Sequence, residues 1–271
     1  MTNRPRCSVL CLCASIATGC AGGAAETVAA PAAVVPAAAI GDPAAELSPE
    51  GAAVTALPPP EPEDDPPAAS SQKVALPMFG AAVIHKVKDF DTWKSVFDAD
   101  LDARKRAGFV AQGIMRGVDN DRLVMIWLAV TEVAKAKTFF SDKALRAQMK
   151  SAGVDGKPVI HVWSNVDAKM DPGRRGLAAA LLVLHIDDIG EFKIAFDASA
   201  AAREQAGIVG YGLSQDVDDK GIAYVYLQSE DAAKLKAYVA GKQTRQTWRD
   251  AGMTGAPTMI VVREGDMMTY Q

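Results

Sequence analysis

The residues from Ala81 to Trp163 match those 99 positions later with no insertion or deletion. The matched pairs include Asp89/Asp188, Lys94/Lys193, Phe97/Phe196, Asp98/Asp197 and Arg104/Arg203. They continue through Gly108/Gly207, Gly113/Gly212, Asp119/Asp218, Leu128/Leu227, Arg146/Arg245, Gly153/Gly252 and Pro158/Pro257. A register kept over that length marks an internal duplication, so the chain must bury its core as two like units. The expected organisation is a first unit over 77–166, a linker over 167–177, a second unit over 178–265 and a tail over 266–271.

Each unit reads β-α-β-β-α-β. In the first, Ala81–Val87 is an apolar strand, and Asp91 is placed to cap a helix whose Trp93, Val96, Phe97 and Leu101 share a face. Gly108 stops that helix. Strands over 109–116 and 123–130 follow, joined through Asp119-Asn120-Asp121, a turn-forming run. Thr131, and Ser229 in the second unit, are placed to cap a second helix that ends at a glycine. Last strands are expected over Val159–Asn165 and Thr258–Val262. This order is the ferredoxin-like split unit, an α+β class.

A family resemblance rests on His85–Trp93 (HKVKDFDTW), Phe97-Asp98, Arg104, Ala107-Gly108-Phe109, Arg116, Lys143-Ala144-Leu145, Met149 and Ala152-Gly153-Val154 with Gly156 and Pro158. Together these resemble the antibiotic-biosynthesis-monooxygenase-like branch of the dimeric α/β-barrel proteins. The resemblance implies two ferredoxin-like sheets packed face to face around a cavity. Here one chain would supply both halves, as an intrachain barrel that needs no second subunit. It leaves the chemistry open, because that group includes cofactor-independent oxygenases, haem-degrading enzymes and members without known activity.

Alternation along the strands sorts the sheet faces. Val124, Ile126 and Leu128, with Ala223, Val225 and Leu227, suit the face under the helices. Met125, Trp127, His161, Trp163, Tyr224 and Tyr226 then point into the space between the sheets. They either line a pocket for a small, flat, apolar ligand or fill the inter-sheet core.

Catalytic signatures are absent. None of the three histidines, His85, His161 and His185, is shared between the units, and no spacing among them suggests a metal site. All four cysteines lie in the first 20 residues, so the body has no thiolate ligand or nucleophile. No GxSxG or phosphate loop occurs. No metal or cofactor is therefore expected, and a formal net charge of −4 gives no reason to expect a nucleic-acid partner. Arg104 and Arg203 lie near helix ends, where a cation offsets the dipole. Three functions stay open: a binding protein for a small apolar ligand or a partner, a cofactor-independent monooxygenase or haem-active enzyme, and a non-catalytic scaffold.

The front of the chain is of another kind. Twelve of the 15 prolines fall at or before Pro77. Arg4 and Arg6 precede an apolar run, Cys7–Thr18, of signal-peptide length, and Ala17-Thr18-Gly19-Cys20 resembles a bacterial lipobox, with Ala17 where leucine is usual. Residues 1–20 are thus expected to be a lipoprotein signal with Cys20 the lipidated residue; the alternative is an ordinary cleaved signal in which Cys20 is incidental. Residues 21–76, rich in Ala, Pro and acidic residues, have too few large apolar groups to offset the entropy of ordering. As a flexible tether they would let the body roam roughly 40 Å from a membrane of the bacterial cell envelope. Cys20→Ser is expected to abolish acyl labelling and to release the protein from the membrane fraction. Wild-type protein that is already unlabelled and free of membranes would overturn the anchor.

Overall fold

The computed structural model describes residues 77–171 and 173–270. The expectations for the signal segment, Cys20 and the tether lie outside them. The first half runs β1 (Phe79–Val87), α1 (Phe90–Ala99), α2 (Leu101–Arg106), β2 (Phe109–Gly117), β3 (Leu123–Val130), α3 (Val133–Ser141), α4 (Lys143–Ser151) and β4 (Val154–Lys169). The second half repeats it with β5 (Ala178–Ile186), α5 (Ile189–Ala198), α6 (Ala200–Gln205), β6 (Ile208–Asp216), β7 (Ile222–Ser229), α7 (Ala232–Ala240), α8 (Lys242–Asp250) and β8 (Met253–Thr269). The fold is α+β, with two ferredoxin-like βαββαβ units in tandem.

The eight strands close into one barrel in the order β1-β3-β2-β8-β5-β7-β6-β4. Closure depends on the fourth strand of each half, which is longer than its apolar core suggests. β4 pairs with β1 through Ser164, then with β6 from Trp163 to Lys169. β8 pairs with β5 through Arg263, then with β2 from Val262 to Thr269. At each crossing a backbone N–H holds the rim of the barrel: Asn165 donates to Met78 O at 3.0 Å, and Glu264 to Leu177 O at 2.9 Å.

Three apolar clusters follow from the alternation. Val124, Ile126 and Leu128 pack under α1–α4 with Trp93, Phe109 and Phe140. Ala223, Val225 and Leu227 pack under α5–α8 with Phe192, Phe196, Leu235 and Trp248. A third cluster, containing Met125, Trp163, Leu181, Tyr224 and Val262, joins the two sheets inside the barrel.

Local details differ from the sequence reading. Asp89, not Asp91, caps α1, accepting from Thr92 N at 2.7 Å. Asp188 does the same for α5. Thr131 donates instead to Gly108 O at 2.8 Å, and Glu132 stands at the N-cap position of α3 without a side-chain capping hydrogen bond. Asp231 rather than Ser229 caps α7, Ser229 accepting from Asp231 N at 3.2 Å. An acidic or hydroxyl residue can cap from more than one position near a helix start, which is why spacing alone misplaced these three. Each expected helix is also two short ones. Gly108 and Gly207 end the first pair in each half at φ of 83° and 76°, left-handed values that suit glycine.

The exchanged strand ends are tied to the opposite half. Asp167 meets Lys193 on α5 at 3.3 Å, and its counterpart Asp266 meets Lys94 on α1 at 3.7 Å. Tyr270 donates to Gln112 Oε1 at 2.5 Å and accepts from Arg104 Nε at 3.2 Å. A chain ending at Glu264 exposes part of the edge of β2 and loses the ties of Asp266 and Tyr270. It is expected to lose roughly 3 kcal/mol of stability and to self-associate through that edge. Thermal melts and size-exclusion chromatography check this; an equally stable monomer would show that the exchange is dispensable.

Candidate functional site

The barrel interior opens as a cavity of about 450 Å³. Five of the six residues read from strand alternation line it: Met125, Trp127, Trp163, Tyr224 and Tyr226. Met125 and Tyr224 are each 2% exposed and Trp163 is 6% exposed, so they form a packed floor; Trp127 and Tyr226 are only half-buried. Packing and opening therefore coexist, in different layers of the barrel. Gly80 on β1 lets the Trp163 ring lie flat, since a Cβ there would sit 2.6 Å from the indole nitrogen. The Trp163 and Tyr224 rings stand 5.3 Å apart.

His161 does not line the cavity. It stands behind Tyr224, half-buried, with Nδ1 3.1 Å from the tyrosine hydroxyl. That hydroxyl gives its one proton to Asp216 Oδ2 at 2.5 Å, so Nδ1 carries the hydrogen in the His161 contact. Burial lowers the His161 pKa, and the Asp216 carboxylate opposes the shift. Burial acts against the charged Asp216 too, but hydrogen bonds from Tyr224 and from the N–H groups of Asp218 and Asp219 hold its pKa below the ordinary value. Burial and the Asp216 contact raise the Tyr224 pKa, keeping the phenol neutral.

Polar residues that the sequence reading missed complete the wall. Tyr226 donates to Glu264 Oε1 at 2.5 Å, and Gln228 Nε2 donates to the same oxygen at 2.6 Å. Burial raises the Tyr226 pKa well above the usual phenol value, and the neighbouring carboxylate adds to it. Asn165, 99 positions before Glu264, accepts from Trp163 Nε1 and from Ser214 Oγ, both at 2.9 Å, and donates to Pro77 O at 2.7 Å. Met115, Met170, Met267 and Met268 add thioethers to the lining. Glu264, Met267 and Met268 escaped notice because the last strand was expected to stop at Val262. The retained pair Asp167/Asp266, just beyond both expected ends, was the available sign that these strands continue.

A larger concavity, about 620 Å³, lies over β6 and α5–α6. Its charges answer one another: Lys193 with Asp167 and Asp197, Lys169 with Glu204 at 3.7 Å, and Tyr211 with Asp167 at 3.2 Å. Most of its charged groups are already engaged with one another, which favours the aromatic barrel cavity as the site. Arg104 and Arg203 are buried rather than available to an anion. Each guanidinium lies over a phenyl ring, 3.7 Å from Phe97 and 3.8 Å from Phe196, and donates to that residue's carbonyl.

No family model matches the chain. No curated protein matches it. Solved structures do. An anthrone oxidase-like protein superposes with a TM-score of 0.52 at 10% identity, over 70% of this chain and 92% of its own. A ferredoxin-fold protein of Listeria monocytogenes related to antibiotic biosynthesis monooxygenases gives 0.43 at 6% identity, over 70% and 95%. A heme-binding protein of Thermus thermophilus gives 0.46 at 12%, over 73% and 95%. The first of these likenesses is one of fold, the ferredoxin-like α/β barrel.

Of the other histidines, His185 is exposed on β5. His85 is 4% exposed under α1, edge-on to Trp93 with ring centres 5.5 Å apart. Neither of its ring nitrogens has a hydrogen-bond partner among the described residues. Burial lowers its pKa from 6.5 to about 4. Between those values the unfolded chain takes up a proton that the folded chain refuses, so stability falls as pH falls through 6.5. His85→Leu installs the residue found at Leu184, 99 positions later. Between about pH 8 and about pH 5 the wild type is expected to lose about 2 kcal/mol more than this variant. Denaturant melts at both pH values check it, and identical profiles would clear His85 of the effect.

Proposed function

We propose that the barrel is a binding module that holds a small, flat, largely apolar molecule in its lumen. An anchor at Cys20 and a tether would present it from a membrane of the cell envelope. The observation that carries the binding reading is the 450 Å³ opening walled by Trp127, Trp163, Tyr224, Tyr226 and four further methionines around Met125. Aromatic faces suit planar ligands, and thioethers adapt to irregular ones.

A second reading, an oxidative enzyme, draws on the hydrogen-bonded series Asp216–Tyr224–His161. It ties a hydroxyl on the cavity wall to two groups able to hold a proton. The likeness to an anthrone oxidase-like protein is one of fold alone and assigns these residues no role.

Titration of a library of planar aromatics is expected to quench tryptophan fluorescence and to raise the melting temperature. Mass action gives about 2.7 kcal/mol of stabilisation at a hundredfold excess over Kd. Trp127→Ala should weaken the best ligand at least about tenfold while the protein stays folded. No binding across the library would leave a scaffold as the better assignment. Oxygen uptake with a bound reduced phenol, lost in Tyr224→Phe, would move the assignment from binding to oxidation.

A further inference from the structure

The two ends of the cavity wall are built at equivalent positions with different chemistry. Asn165 and Glu264 stand where β4 and β8 leave their own sheets. Asn165 is neutral and committed: its oxygen accepts two hydrogen bonds and its nitrogen donates one. Glu264 is a carboxylate whose Oε1 takes both available donors, from Tyr226 and Gln228. Its Oε2 has no partner among the described residues, and no cation pairs with it there.

A carboxylate against aromatic rings and thioethers, with one oxygen left open to solvent and to a ligand, sets up a negative potential at its end of the lumen. The half-buried rings of Trp127 and Tyr226 on the cavity wall reinforce it, because aromatic faces attract cations. The cations at the rim do not cancel it. Arg174 is engaged by Asp171 at 3.3 Å and Glu230 at 2.6 Å, and Arg175 is exposed to water, which screens its charge. Asp216, beyond Tyr224, adds a further negative charge on the same side of the balance.

We infer that Glu264 makes the cavity selective for planar organic cations, with the positive nitrogen set against Oε2 and the rings between Trp127 and Tyr226. The inference rests on the reading of the lumen as a binding site and adds the charge of its ligand.

A matched pair of probes separates the two ideas: acridine, uncharged in alkaline buffer, and N-methylacridinium, permanently charged and nearly the same shape. Calorimetric titration of the full chain is expected to show the cation binding at least about tenfold tighter. In Glu264→Gln, which keeps an oxygen for Tyr226 and Gln228, the cation should lose about tenfold and acridine less than about twofold. Glu264→Asp, which keeps the charge, should keep the preference. Equal affinity of the two probes in the wild type overturns the charge selection and leaves the binding site standing. So does a preference that survives in Glu264→Gln. Binding of neither probe overturns both. The wild-type comparison decides the matter even where a variant does not fold.

Discussion

The exchange of fourth strands between the two sheets is the interaction on which the rest of this molecule depends. A four-stranded ferredoxin-like sheet alone has two open edges, and unpaired edges invite association. Here β4 serves β1 and then β6, while β8 serves β5 and then β2, so no edge remains in the ring. The hydrogen bonds from Asn165 to Met78 and from Glu264 to Leu177 mark equivalent crossing points. Closure also forces the inner faces of the sheets together, which creates the interior cluster and the opening beside it. Asn165 and Glu264 stand at these crossings because a strand changing partners leaves side chains at a rim rather than under a helix layer.

The helix-covered cores show how far two halves can diverge on one backbone. In the second half Phe192, Phe196, Leu235 and Val239 are fully buried around Leu184. In the first half His85 replaces that leucine, and Phe97, Phe139 and Met149 are only partly buried. A neutral, partnerless imidazole in that layer forgoes hydrogen bonds that water would have given it. The cleft that it and Arg104 help to line, about 50 Å³, can hold a water molecule but not a ring. The first half is accordingly the looser of the two, and the cause is a handful of side chains rather than a different fold.

Much of this was legible in the chain. The constant offset of 99 fixed the repeat, and alternation in β3 and β7 placed Val124 and Val225 under helices and Met125 and Tyr224 inside the barrel. Alternation put His161 on the inward face with Trp163, but not its partner: the ring meets Tyr224 of β7 across the interior and reaches the cavity only through that tyrosine, a contact that period-2 reasoning does not see. Glu264 was hidden for a different reason. The last strand was expected to stop at Val262, ahead of Glu264, yet β8 continues to Thr269 because β2 offers it a second set of hydrogen-bonding partners. Pairing across 150 residues supplies what local propensity does not.

One chain carrying both halves also permits what a symmetric pair of identical subunits forbids. In a two-fold dimer every residue at the cavity wall occurs twice, at both ends. Two copies of Glu264 would face one lumen as like charges, and one would be driven to protonate or to find a cation. Two copies of Trp163 would fill space that Val262 leaves open at the equivalent position. With the halves free to differ, Asn165 and Trp163 close one end with neutral, saturated groups while Glu264 and Tyr226 keep the other polar. The cavity thereby acquires a direction, and a ligand with unlike ends can be held one way round.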